Sequence, residues 1–567
     1  MSSGDIMKIK LLDKKRINEI IELVNKISKK YVTYDFSEEG KISFSKINKE
    51  EFYNNKYILT YVVLYEDEIV GMISFDISRS HICLLFVDEK YFKQGIATKL
   101  VETIEKLSID DIHVNASDDA LSFYQKYGFL AVDQRQTKDG ITYTPMIKKI
   151  NKEDRFKKYE EVYDFINSQK NRVYSLDNFQ RFMNDMANPQ LALKCIHIGG
   201  TNGKGSTTNY IKEVLKRANY QVGTFTSPAL ITRLDVIRIN DVNIDEDAVV
   251  ELANRYVDVW LEYEISLFEI EVFIAIMYFL HKGVDIAIFE VGLGGNLDAT
   301  NIIEPLVAVN TNIGLDHTDF LGNSYESIAM AKAGIIKDGI DYITGEHKQE
   351  CLDIFRDECE KHHCELLRVD RIHDIQDGEN VKYCYRDYNI VLNTPALYQI
   401  QNSALAIETL LYLRNKKNIS FDDEDLIYGL FEAKWAGRFE KLRDKPLIII
   451  DGAHNREGVD ELYRAARKFH NLKIIFSALK DKDTDYMIER LLDLTYDITI
   501  CEFEHPRSQK AKLLAKDYPV KIEPDYIKAI NDAFEFDGTL LITGSLYFIS
   551  KIRPYLQQKI KDNENHS

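Results

Sequence analysis

Nowhere in the chain do about 18 uncharged apolar residues run together, so no segment reads as a membrane-spanning helix. The opening MSSGDIMKIKLLDKK lacks the apolar middle region of a secretory signal, and a cytoplasmic location without a membrane partner is expected. Basic charge is also short. The 73 Lys+Arg stand against 91 Asp+Glu, a formal charge of −18, whereas binding a nucleic-acid backbone depends on clustered cations. A nucleic-acid partner is therefore not expected, and anionic small molecules would need local positive sites. Proline is scarce, at 10 in 567 residues, and 45% hydrophobic with 29% charged residues suits a chain that folds throughout. Cysteine is both sparse and odd in number, with seven scattered residues, which disfavours a disulfide framework. Cys359, His362, His363 and Cys364 crowd together as C-E-K-H-H-C, but L-D-I-F-R-D-E-C before them reads as a charged helix. No second ligand pair with finger-like spacing follows, so a metal site is not expected there.

What is present reads as several α/β domains, because one hydrophobic core does not grow to this length. The first segment predicts a helix over about 14–30, strands over 57–65 and 69–77, then strand, glycine turn and helix over 82–107. A helix near 120–127 and a last strand close it. The charged run K-K-I-N-K-E-D-R-F-K-K-Y-E-E places a boundary near residue 150. From Lys194, short apolar strands (CIHIG, QVGTF, VDIAIFEVG) alternate with amphipathic helices, the pattern of a parallel sheet under helices. A second such series follows Gly437: PLIIIDGAH, LKIIFSAL, DITICEF and GTLLITGS. The expected domains are therefore 1–150, 151–436 and 437–567.

Between a strand and a helix lies Ile196-His-Ile-Gly-Gly-Thr-Asn-Gly-Lys-Gly-Ser206. Its glycines let backbone N–H groups close around phosphate oxygens at a helix N-terminus, and Lys204 would meet the β/γ-phosphates. Gly205 stands where the general phosphate loop has its hydroxyl residue, with Ser206 next. Glu290 ends an apolar strand and offers a hard oxygen ligand suited to magnesium.

The form G-T-N-G-K-G-S resembles the ATP loop of the Mur-ligase superfamily, in its folylpolyglutamate synthase branch. Glu290-Val-Gly-Leu-Gly-Gly-Asn-Leu-Asp-Ala-Thr-Asn301, Thr311-Asn-Ile-Gly-Leu-Asp-His-Thr-Asp-Phe-Leu-Gly322 and Lys332-Ala-Gly-Ile-Ile-Lys337 carry the resemblance further, in family order. So do Trp435-Ala-Gly-Arg438, Asp451-Gly-Ala-His-Asn455, Ala478-Leu-Lys-Asp-Lys-Asp483 and Thr543-Gly-Ser-Leu-Tyr547. The resemblance spans about 156–560. It implies a central P-loop ATPase domain of Mur-ligase type and a C-terminal Rossmann-like α/β domain. It also implies ATP contact by Asn202, Gly203, Lys204, Gly205, Ser206, Asn402, Arg438 and Asp451. Magnesium falls to Ser227, Glu290, His317 and a carbamylated Lys332, with functional roles for Asp298 and His454 and glutamate contact for Ser545. The implied reaction activates the γ-carboxylate of a folate as an acyl phosphate, which the amine of L-glutamate then attacks. A monomer acting on folate, glutamate and ATP is expected, with dihydropteroate a possible second acceptor.

Departures from the family concern the acid substrate more than the chemistry. Ser227-Pro-Ala-Leu230 and Asp235-Val-Ile237 replace S-P-H-L and E-R-I, and Ala331, Tyr398, Ala436 and Asn296 stand at other altered positions. A Mur-type ligase for a non-folate carboxylate, or a non-catalytic nucleotide-binding module, are the alternatives.

At the N-terminus, Val87-Asp-Glu-Lys-Tyr-Phe-Lys-Gln-Gly-Ile-Ala-Thr-Lys-Leu100, Asn115-Ala-Ser-Asp-Asp-Ala-Leu-Ser-Phe-Tyr-Gln-Lys-Tyr-Gly-Phe129 and Thr142-Tyr-Thr-Pro-Met146 resemble the GNAT N-acetyltransferases over about 5–150. That resemblance implies acetyl-CoA contact by Val87, Lys93, Gln94, Gly95, Ile96, Ala97 and Thr98, with Tyr124 as general acid. Phe92 stands where the turn usually opens on glutamine or arginine, and Tyr124 in F-Y-Q-K-Y-G-F reads equally as a core aromatic.

Overall fold

The computed structural model describes residues 7–171 and 176–564. Backbone packing divides the chain into two compact units, residues 1–194 with 244–285, and residues 195–243 with 286–567.

The first unit is built on an antiparallel meander, Lys8–Leu11, Ile58–Tyr65, Glu68–Asp76 and His81–Val87. Only the end of His81–Val87 pairs with the next strand, Ile112–Ala116, and that pairing is parallel and two residues long. The two strands do not pair beyond Ile82. Predicted and observed elements coincide for the helix Ile96–Leu107 and for Ile17–Tyr31, whose buried Ile17, Ile20, Val24 and Ile27 recur at helical spacing. The sequence reading lacks the first strand and the helix Glu38–Ile47.

Two long helices from far along the chain, Glu246–Glu262 and Leu267–Lys282, belong to this same unit. Arg255 reaches the C-terminal end of the helix Ile96–Leu107. Its guanidinium donates to the carbonyls of Ser108 (2.9 Å) and Glu105 (2.7 Å), and the Tyr256 hydroxyl donates to that of Leu107 (3.3 Å). Orphan carbonyls of a helix end are thus satisfied by a cation, which the helix dipole also favours.

The two larger sheets of the second unit each carry a core on both faces. In the first, parallel strands Val222–Phe225, Ile286–Glu290, Cys195–Gly199, Val307–Asn310, Tyr342–Thr344 and Leu366–Arg368 lie side by side, with an antiparallel edge. Side chains alternate between faces. Val307, Val309 and Ile343 pack with the helices Lys204–Arg217 and Gln399–Lys416, whereas Ala308 and Tyr342 pack with Tyr325–Ala333 and Gln349–Lys361. The second sheet, of six strands, is parallel from Leu447–Ile450 through Thr539–Thr543, Leu472–Phe476 and Ile498–Glu502 to Lys521–Asp525. Its faces divide in the same manner, with Ile449, Ile474 and Phe476 on one side and Ile448, Ile450 and Ile475 on the other. Among the described residues no helix is long and apolar enough to cross a membrane.

Candidate active site

The strand Cys195–Gly199 runs into a loop that only glycine could shape at two points. Gly200 has φ +131° and Gly203 φ +85°, and a Cβ on them would lie 1.9 Å from Thr311 Oγ1 and 2.2 Å from Asn402 Oδ1. The helix Lys204–Arg217 starts directly after Gly203. Lys204 Nζ folds back over the loop, donating to the carbonyls of Gly200 (3.1 Å) and Thr201 (3.2 Å), with Glu290 Oε1 at 3.9 Å. Ser206 Oγ accepts from Gln399 Nε2 (3.3 Å), and Asn402 Nδ2 donates to Gln399 Oε1 (3.0 Å), so these three residues form one chain.

Glu290 stands at the C-terminal end of its strand, beside Ile198 of the loop strand. Burial pushes its carboxyl up to about 7, against the pull of Lys204, Arg438 and the Ser227 N–H. Lys332 is buried and donates to the same Gly200 carbonyl (2.8 Å). Burial, and then the nearby Lys204 charge, push its ammonium down to about 7. Lys204, Glu290 and Lys332 therefore converge on one turn of backbone.

Asp298 is spent within its own loop, accepting from Leu293 N (2.8 Å), Thr300 N (2.9 Å) and Thr300 Oγ1 (2.5 Å). His317 takes the left-handed conformation (φ +53°), and burial pushes its imidazole down to about 4.

The neighbouring Asp316, absent from the sequence expectations, gathers three polar side chains. Lys482 Nζ donates to it at 2.6 Å, Asn455 Nδ2 at 3.2 Å, and His454 Nε2 lies 3.6 Å away. Burial would raise this carboxyl, but His454 and Lys482 override it and hold Asp316 well below the usual range. His454 Nδ1 donates to Gly452 O (2.8 Å), which leaves Nε2 facing Asp316. Asn202 and Asn455 form a reciprocal amide pair at 3.0 and 3.1 Å, joining the phosphate loop to the D-G-A-H-N turn of the second sheet. In the sequence, Asp316 is marked only by its place beside His317 in the motif D-H.

Asp451 accepts from Phe439 N, Ala453 N and the Tyr398 hydroxyl, at 2.8, 2.8 and 3.0 Å. Tyr398, one of the altered positions, thus holds a carboxylate expected to contact nucleotide. Burial raises Asp451, and Arg438 opposes it. Ser545 is buried, with its hydroxyl accepting from Tyr547 N (3.2 Å).

A small cleft of about 40 Å³ opens between Gly205, Ser227, Glu290, Trp435 and Arg438. The altered 227–237 loop forms one wall through Leu230 and Asp235, and Asp235 fixes that loop by accepting from the N–H groups of Leu230, Ile231 and Thr232. Arg238, absent from the sequence expectations, also lines the cleft, its guanidinium 5.8 Å from the Trp435 ring and 3.6 Å from Asp235.

Residues 198–410 match the Mur ligase middle domain, and residues 437–546 match the Mur ligase, glutamate ligase domain. A dihydrofolate synthase/folylpolyglutamate synthase of Bacillus subtilis is 38% identical over 414 residues, covering 67% of this chain and 95% of the relative. The chain belongs to the dihydrofolate synthase/folylpolyglutamate synthase family. A folylpolyglutamate synthase of Lacticaseibacillus casei is 31% identical over 393 residues, which are 65% of this chain and 92% of that one. The apo form of the L. casei enzyme superposes over 71% of this chain and all of the other, with TM-score 0.63 and 28% identity. A solved complex described as FPGS-AMPPCP-folate gives the same TM-score at 29% identity, over 70% of this chain and all of that one.

The synthase family match leaves the N-terminal segment outside, and there residues 32–150 match the acetyltransferase (GNAT) domain. In it Lys93 and Gly95 have φ +63° and +81°, turning the backbone into the N-terminus of Ile96–Leu107. Ile96 is buried, whereas Lys93, Gln94 and Gly95 are exposed and Ala97 and Thr98 half-buried. Val87 ends the strand leading to this turn. Tyr124 is buried, its ring centroid 5.1 Å from Phe129 and 5.2 Å from Phe123, and burial pushes its hydroxyl well above the usual value.

Proposed function

We propose that this protein joins L-glutamate to the γ-carboxylate of a reduced folate, with ATP converting that carboxylate to an acyl phosphate. Dihydropteroate is a second acceptor of the same kind. The observation that carries the reading is the meeting of Lys204, Glu290 and Lys332 at the phosphate loop, which the Asn202–Asn455 pair ties to His454 and Asp316.

In this reading the N–H groups around Asn202, Gly203, Gly205 and Ser206 receive the phosphates at the helix N-terminus. Lys204 moves from the Gly200 and Thr201 carbonyls to the transferring phosphoryl group, where its charge offsets the charge that spreads there. Arg438 faces the same cleft and suits a phosphate oxygen, with Asn402 and Asp451 holding the loop and the hinge around it. His454 and Ser545 are assigned to the incoming glutamate. Closure of the cleft keeps water from the acyl phosphate.

The residues fit magnesium. Glu290 is a buried carboxylate with one ammonium 3.9 Å away, a group that a divalent cation would ionise. Ser227, Glu290 and His317 would hold one ion, and Lys332 a second one. With its amine brought down to about 7, Lys332 is partly neutral at physiological pH, as addition to carbon dioxide requires; a carbamate forms there with loss of one proton. Bound magnesium would neutralise the phosphate oxygens.

The N-terminal domain is read as an acetyl-CoA-dependent acetyltransferase, with the turn at residues 93–98 for the pyrophosphate and Tyr124 as proton donor to the thiolate. The activities then divide at residues 150 and 436, in a cytoplasmic monomer.

Phosphate release from ATP and magnesium with glutamate tests the ligase reading, run with tetrahydrofolate, with dihydropteroate and with no acceptor. Glutamate-dependent release with tetrahydrofolate is expected. Release with neither pterin would reject it and favour a non-folate acid, the reading to which the altered 227–237 loop and Arg238 point.

A further inference from the structure

A three-stranded antiparallel sheet, Ile372–Gln376, Val381–Tyr385 and Tyr388–Leu392, lies between the two parallel sheets in sequence and plays no part in the site above. Its register sets His373 opposite Cys384, and Cys384 opposite Asn389. Directly opposed residues of antiparallel strands project from the same face, so these three form one row across the sheet. Val381, Tyr383 and Tyr385 of the middle strand are buried, which puts Cys384 on the outer face.

Along a regular strand Asp374 would point away from its neighbour His373. Here the ladder slips between His373 and Gln376, and Asp374 takes φ +53°, a conformation uncommon for a residue with a side chain. The bulge re-aims the carboxylate to the row, with Asp374 Oδ2 2.9 Å from His373 Nδ1. One ligand atom each from His373, Asp374 and Cys384 lie within 4.8 Å of one another. The C-E-K-H-H-C run behaves otherwise: Cys359 is buried, Cys364 Sγ donates to the Cys359 carbonyl, and His362 pairs with Asp338.

We propose that His373, Asp374 and Cys384 form a surface site for a borderline divalent ion such as zinc. Tetrahedral zinc, with bonds of about 2.0–2.3 Å, sets its ligand atoms some 3.3–3.8 Å apart, within reach of these side chains by rotation alone. A thiolate and an imidazole beside one carboxylate select zinc, cobalt or nickel over magnesium and calcium. Binding breaks the Cys384 S–H bond, sends the proton to solvent and forms the metal–sulfur bond. The Cys384 thiol, which donates to Asn389 Oδ1 (3.0 Å), gives up that hydrogen bond. His373 and Asp374 are exposed, so the fourth position is left to water.

The test is titration of the full-length chain with cobalt(II), under excess magnesium to fill the hard-ligand site, followed by displacement with zinc. The expected result is one tightly bound cobalt per chain, with a sulfur-to-cobalt charge-transfer band that Cys384→Ser abolishes. His373→Ala and Asp374→Ala should each weaken cobalt and zinc binding about tenfold or more. All three positions lie on a solvent face, and unchanged far-ultraviolet circular dichroism checks that the variants fold. A wild-type chain without the band, or a band that survives Cys384→Ser, overturns the proposal.

Discussion

At the residue scale, the candidate site depends on groups whose surroundings oppose their ordinary charge. Burial pushes Glu290 and Lys332 toward their neutral forms, and between them two carbonyls hold Lys204 over the phosphate loop, with Glu290 Oε1 3.9 Å away. Lys204→Ala is expected to lower glutamate-dependent phosphate release by about 100-fold or more, as loss of one preorganised charge does, with acetyl-CoA binding unchanged. A calorimetric acetyl-CoA titration beside the phosphate assay checks both halves. Glycine spacing and a strand end mark Lys204 and Glu290 in the chain itself, whereas His317 stands out only through the family resemblance. Asp316 and Arg238 were not so marked. Asp316 draws its importance from Lys482, His454 and Asn455, which lie over a hundred residues away in the chain, and no local pattern records that meeting.

At the scale of elements, strands and helices with strong period were read close to their observed bounds, as with Ile17–Tyr31 and the strands around Ile448, Ile474 and Leu541. The sheet at 372–392 went unread, because its outer strand is exposed along most of its length and has no apolar alternation to display. Two elements carry predictions. Gly203 forms the left-handed step before its helix, and Gly203→Ala is expected to cost about 1–3 kcal/mol in urea unfolding and to weaken nucleotide binding. Asn455 caps the helix Arg456–Ala466 through Gly458 N (2.8 Å) while pairing with Asn202. Asn455→Ala should lose about 1 kcal/mol as a cap. Asn202→Ala, which leaves the cap intact but removes the amide partner of Asn455, should retain that stability and still lower ligation, a split that separates the two roles by denaturation and turnover.

At the scale of the whole molecule, both units hold a histidine that must stay neutral. His197, bonded to Thr300 Oγ1 (2.8 Å), is pushed by burial down to about 3, and His281, on Met277 O (2.8 Å), to about 4. Between pH 6.5 and 4 the unfolded chain binds these protons and the folded chain does not, so stability falls as pH drops through that window. Each should remove about 1 kcal/mol by pH 5.5, seen as lower urea midpoints at pH 5.5 than at pH 7.5. The order of domains could be read from motifs, but the membership of helices 246–262 and 267–282 in the first unit could not. It rests on Arg255, Tyr256 and the Asn254 contacts to Phe156. For anyone wishing to separate the acetyltransferase-like part, the contacts of Arg255 and Tyr256 to residues 105–108 mean that a protease nick near residue 150 would sever the chain without releasing a fragment. The pieces should travel together through a sizing column and part only in denaturant, so that the acetyltransferase-like part behaves as a built-in subunit rather than a tethered passenger.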